Sequence, residues 1–72
     1  MGTQLGRRIR AWRVKARLSV KELAEAVGVD DSAVYHWESG RAAPRSENLG
    51  LVATACGIGL SEFYGPLPRK AA

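Results

Sequence analysis

The stretch that most limits what this chain can fold into is Leu18–Gly40, LSVKELAEAVGVDDSAVYHWESG. It holds two short helix signals separated by one glycine-centred turn. Ser19 suits a helix N-cap, because its hydroxyl can accept from a free backbone N–H of the first turn. Glu22, three residues on, completes a capping box. Leu23, Ala24 and Val27 follow on one face at helical spacing. Gly28 stands just past the last of them, where a left-handed backbone is cheap only for glycine. Val29 plugs the turn, Asp30 is placed to cap a second helix, and Asp31 favours the positive end of that helix's dipole. Val34 and Trp37 point inward, and Gly40 ends the second helix. Both helices are too short to persist alone in water, so they must pack against their flanks.

The flanks supply that packing. Upstream, Leu5, Ile9 and Trp12 recur at i, i+4 and i+7, which predicts an amphipathic helix over about Thr3–Ala16. Its opposite face carries Arg7, Arg8, Arg10 and Arg13, with Lys15 and Arg17 after. Residues 40–44 read as a loop. A fourth helix is expected to start at Arg45 or Ser46 and to run to Cys56, with Leu49, Val52, Ala53 and Cys56 inward and Gly57 as its stop. Gly59 can serve as a weaker N-cap for a fifth helix, Leu60–Tyr64, which has Glu62 at its third position. Leu60, Phe63 and Tyr64 form an apolar set that either closes the core or contributes to a dimer patch. Pro66 and Pro68 end regular structure, and no period-2 strand pattern occurs. The expected fold class is therefore all-α: a compact bundle of about five short helices over residues 3–65, with a short disordered tail at 66–72.

Composition narrows the function. A chain of 72 residues is one domain and buries only about 60% of its unfolded surface, which makes dimerisation a reasonable source of extra stability. The lone Cys56 cannot form an internal disulfide, and with a single histidine, His36, no metal site is expected. Cys56 reads instead as a small buried apolar residue. The N-terminus lacks the apolar run of a leader, and no segment approaches the ~18 apolar residues that span a membrane, so a cytoplasmic protein without membrane contact is expected. An enzyme is not expected. There is no glycine-rich phosphate loop and no Ser/His/Asp set, and Asp30 and Asp31 are adjacent, so they cannot face each other across a substrate. No cofactor and no small-molecule ligand are expected either. Nothing of domain size lies outside the bundle, so regulation is expected through concentration, a partner or proteolysis. The net charge of +4 suits a polyanionic partner, and the basic run Arg7–Arg17 is either a solvated helix face or in part an electrostatic surface toward that partner.

Four stretches then fall into a known order and spacing: LGRRIRAWR at Leu5–Arg13, LSVKELAEAVGV at Leu18–Val29, WESGRAAP at Trp37–Pro44, and LVATACGIGLSEFY at Leu51–Tyr64. Over them the chain resembles the Cro and phage-repressor type (XRE-like) helix-turn-helix family. The resemblance implies a lambda-repressor-like bundle that binds double-stranded DNA, usually as a homodimer on an inverted repeat and usually to repress transcription. The second helix of the motif, Asp30–Glu38, would enter the major groove, with half-sites about 34 Å apart. Asp31, Ser32, Tyr35 and His36 match the groove-facing, base-contacting positions. Arg41 and Arg45 match phosphate contacts, and Lys21 supplies charge beside them. Arg13 and Glu38 match a structural ion pair that crosses the core in relatives; a partly buried carboxylate needs a partner, and a guanidinium fits it bidentately.

Three departures from the family pattern stand out. Val20 lies where relatives often have a phosphate-reaching glutamine. Asp30 and Asp31 place carboxylates where phosphates repel them; Asp31 either accepts from a cytosine amine or, with Asp30, only caps the helix and complements its dipole. Gly50 and Cys56 stand where relatives often carry larger aliphatics, and a glycine inside a helix costs roughly 1 kcal/mol relative to alanine unless it admits a close neighbour. Two other functions share the fold: a transcriptional activator of the controller-protein kind, and an antitoxin or adaptor module that binds protein with only weak DNA affinity.

Overall fold

The computed structural model describes residues 4–68. Five helices follow in order: α1 (Gln4–Lys15), α2 (Val20–Val27), α3 (Asp31–Ser39), α4 (Ser46–Ala55) and α5 (Leu60–Tyr64). No strand occurs among the described residues. The expected start of α1 at Thr3 lies outside the described residues, as does the tail from Arg69 onward. The part of the tail that is described, Pro66–Pro68, is not helical.

Local chemistry sets most of these boundaries. At the start of α2 the Ser19 hydroxyl accepts from the Glu22 amide at 3.0 Å, and the Ser19 amide donates back to Glu22 Oε1 at 2.8 Å. Two amides that the helix leaves without partners are thereby satisfied in one exchange. Gly28 closes α2 with φ +87°, and its amide donates to the Ala24 carbonyl at 2.8 Å. α1 closes in the same way without a glycine. Arg17 takes φ +62°, its amide donates to Val14 O at 3.0 Å, and the Leu18 amide donates to Arg13 O at 3.1 Å. This is a Schellman turn with arginine at the left-handed position.

The core is a single cluster to which every helix contributes. Ile9 and Trp12 come from α1, Leu23, Ala24 and Val27 from α2, Val34 and Trp37 from α3, Leu49, Val52 and Ala53 from α4, and Phe63 from α5. Each large member stabilises the fold by about 1.5–3 kcal/mol relative to exposure. α3 packs on α1 and α2, α2 also packs on α4, and α5 spans α1 and α4. Trp12 is anchored as well as buried, because its indole N–H donates to the Phe63 carbonyl at 3.2 Å.

Several expectations need correction. Arg8 does not belong to a free basic face. α1 lies between α3 and α5, so the residues flanking its apolar stripe meet those elements; Arg8 Nη1 donates to the carbonyls of Phe63 at 3.0 Å and Gly65 at 2.5 Å. The last apolar set is split, with Phe63 fully buried while Leu60 and Tyr64 stay exposed. α4 ends at Ala55, and Cys56 takes its C-cap position, half-buried rather than inside the core. Val20 is buried with the core residues of α2.

Candidate nucleic-acid interface

One side of α3 is free. Asp31, Ser32, Tyr35 and His36 are all exposed, Tyr35 to 59%, and their spacing sets them opposite the buried Val34 and Trp37. Asp30 has the extended backbone of an N-cap (φ −75°, ψ 154°), but its carboxylate accepts no hydrogen bond from the first turn. The expected side-chain cap is therefore absent. Asp30 and Asp31 instead act on the positive end of the helix as charges.

The far end of α3 is tightly organised. Gly40 turns the chain at φ +86°. The His36 carbonyl then accepts from the amides of Arg41 at 2.9 Å and Ala42 at 3.2 Å, and from the Ser39 hydroxyl at 3.2 Å. The backbone that carries Arg41 is thereby fixed to the last turn of α3, and the Arg41 side chain is exposed. Arg45 is exposed at the N-cap position of α4, with φ −69° and ψ 161°. Lys21 is exposed in the first turn of α2. The outward face of α3 thus carries no lysine or arginine of its own, and exposed cations stand on the elements around it.

Two contacts hold α3 at a set depth. Arg13 Nε donates to Glu38 Oε2 at 2.6 Å and Nη2 donates to Oε1 at 3.1 Å, with the side chains only 13% and 9% exposed. The third arm, Nη1, donates to the Leu18 carbonyl at 2.9 Å. One guanidinium therefore ties α1, the turn before α2 and the end of α3 together. The second contact is at Gly6, where a Cβ would lie 2.5 Å from the Trp37 carbonyl oxygen and 2.7 Å from that of Glu38. Sequence reasoning missed Gly6 and the inward turn of Arg8. Neither has a local signal, because both depend on which helix lies alongside.

Cys56 is half-buried at the C-cap of α4. Burial pushes its thiol above the ordinary value, and the charge of Arg13 offsets part of that rise. No helix among the described residues is long and apolar enough to cross a membrane.

With this geometry in hand, a Helix-turn-helix family model matches residues 9–63, from the core of α1 to α5. The chain belongs to this family. Members of this kind are DNA-binding transcription regulators rather than enzymes. Two crystal structures of the clp gene regulator ClgR from Corynebacterium glutamicum align with TM-scores of 0.78 and 0.76. Each is 32% identical over 82% of this chain, which spans 63% of the first and 76% of the second. The solution structure of the DNA-binding domain of the P22 C2 repressor aligns with a TM-score of 0.82 and 35% identity, covering 97% of this chain and 95% of that one. No curated protein sequence matched. The helix order and the repressor-like arrangement are those expected from the sequence.

Proposed function

We propose that this chain is a sequence-specific DNA-binding repressor that occupies an inverted-repeat operator as a homodimer. The observation that carries the reading is the contrast across α3. Its inner side is locked by Val34, Trp37, Gly6 and the Arg13–Glu38 pair, while its outer side presents Asp31, Ser32, Tyr35 and His36 to solvent. A rigid helix with a free polar face, bordered by exposed Lys21, Arg41 and Arg45, suits major-groove reading with phosphate contacts on either side. Likeness to the P22 C2 repressor domain along nearly the whole chain supports repression.

In this mechanism Ser32, Tyr35 and His36 sample base edges by hydrogen bonding and by contact with thymine methyls. Asp31 accepts from a cytosine N4 amine, and a base edge without a donor there leaves the carboxylate unpaired. Lys21, Arg41 and Arg45 neutralise phosphates and set register without reading sequence. Two copies related by a two-fold axis place their α3 helices in successive major grooves about 34 Å apart. Leu51, Leu60, Tyr64 and Leu67 are exposed apolar residues from the C-terminal half and supply surface for that pairing. Occupancy of the operator is the regulatory act, in a cytoplasmic protein with DNA as its partner.

Selection of bound duplexes from a random library tests this reading. It predicts enrichment of two inverted half-sites with centres about one helical turn apart. Recovery of sequences with no common site would contradict it.

A further inference from the structure

We propose that Arg17 is a phosphate-contacting residue whose position is registered to the recognition helix through Arg13. The proposal rests on the DNA-binding reading above and adds a residue that neither the outward face of α3 nor the loop after it supplies.

Three observations carry it. First, Arg17 occupies the left-handed position that ends α1, at φ +62°. For an L-residue with a Cβ this backbone is costly, and glycine takes it freely, as Gly28 does at the end of α2. An arginine there is a local departure from what the turn alone prefers. Second, the fold makes no use of the guanidinium. Arg17 is exposed, and among the described residues the one ion pair is Arg13–Glu38. The nearby Glu22 carboxylate is turned back to the Ser19 amide in the capping box. Third, the backbone beside Arg17 is tied to α3. Arg13 donates to the carbonyl of Leu18, the residue after Arg17, with the same guanidinium that holds Glu38. A cation on this turn is therefore carried at a fixed offset from the helix that reads the bases.

The buried state of Val20 gives that cation a purpose. The first residue of α2 points into the core, so it cannot reach a phosphate, and the cationic side chains exposed at this corner are Arg17 and Lys21. The ligand is a phosphate of the duplex backbone, recognised by charge and by paired N–H donors.

The test is a set of fluorescence-anisotropy titrations of a labelled mixed-sequence duplex of about two helical turns over a range of salt concentrations. Arg17→Gly relieves the backbone strain and removes the charge. It is expected to fold at least as stably as wild type, to bind on the order of tenfold more weakly at low salt, and to lose about one unit of salt slope. Arg17→Lys keeps the wild-type slope. Arg17→Asn, neutral and tolerant of left-handed backbone, reproduces the loss if glycine's flexibility lowers stability. Arg7→Ala removes the same charge from the exposed face of α1 and leaves the slope unchanged. A wild-type slope in Arg17→Gly and Arg17→Asn would overturn the proposal, as would an equal loss in Arg7→Ala. If the wild-type protein itself shows no salt-dependent binding to any duplex, the DNA-binding reading fails, and that outcome is distinct from failure at Arg17 alone.

Discussion

Two glycines that look alike in the sequence should respond to alanine with opposite signs. Gly6 and Gly50 both lie inside helices, where replacing glycine by alanine normally gains about 1 kcal/mol. At Gly50 a Cβ meets nothing within 4 Å, so that gain is realised and the variant is stabilised by roughly 0.5–1 kcal/mol. At Gly6 the new carbon would sit 2.5 Å from Trp37 O, 2.7 Å from Glu38 O and 3.0 Å from Glu38 C. These are backbone atoms at the end of α3, so no side chain can swing aside. Relief requires α1 and α3 to separate by roughly 1 Å. Overpacking of this kind costs about 1–3 kcal/mol, and backbone obstacles place it at the upper end. After the helix-propensity gain, Gly6→Ala is expected to lose about 2 kcal/mol. For a chain of 72 residues, with total stability on the order of 4–10 kcal/mol, that is a large share. Urea unfolding followed by circular dichroism measures both variants, with the slope checked for two-state behaviour. DNA affinity of Gly6→Ala, measured where it is still folded, should also fall, because the displaced end of α3 carries Glu38. A Gly6→Ala variant as stable as wild type would refute the close approach of α1 to α3.

Other expectations follow from the same geometry. Arg13→Ala leaves Glu38 poorly solvated and frees the Leu18 carbonyl, so it should destabilise by about 3 kcal/mol in urea unfolding; the double variant with Glu38→Ala should lose clearly less than the sum of the singles. The raised thiol pKa of Cys56 means that the folded state favours the protonated form. Its contribution is fully present below the unfolded thiol's pKa and is lost as pH rises through the folded one, so stability should decline on the alkaline side and less so in Cys56→Ala, read by thermal melts across that range. Arg41→Ala should weaken binding to all duplexes alike and flatten the salt slope by about one unit; an unchanged slope removes Arg41 from the phosphate contacts. Ser32→Ala and His36→Ala should instead change which duplexes a selection recovers, and wild-type preference in both would place base reading elsewhere.

Much of the fold was legible because its signals are local. The capping box needs only Ser19 and Glu22, and the turns after α2 and α3 need only Gly28 and Gly40. What sequence could not show depends on neighbours. The apolar stripe of α1 was clear, yet whether its flanking arginines meet solvent or protein depends on α3 and α5 lying alongside. Arg8 turned out to be engaged, whereas Arg7 and Arg10 are exposed. Leu60, Phe63 and Tyr64 share one apolar character, but a five-residue helix laid across α1 and α4 buries only the ring that faces both. The outward residues of α3 were readable from Val34 and Trp37, since burial of those two fixes the opposite side. The positive φ of Arg17 was hidden because its residue type argues against it.

The central claim is that α3 reads a specific duplex while the surrounding cations grip its backbone. The most direct measurement is fluorescence anisotropy of the purified protein titrated into labelled duplex from immediately upstream of its own gene and into a scrambled duplex of equal length, each at two salt concentrations. Binding that is much tighter to the upstream duplex and weakens steeply with salt is the predicted result. Equal, weak binding to both, insensitive to salt, would contradict it and point to a protein partner for the exposed face of α3.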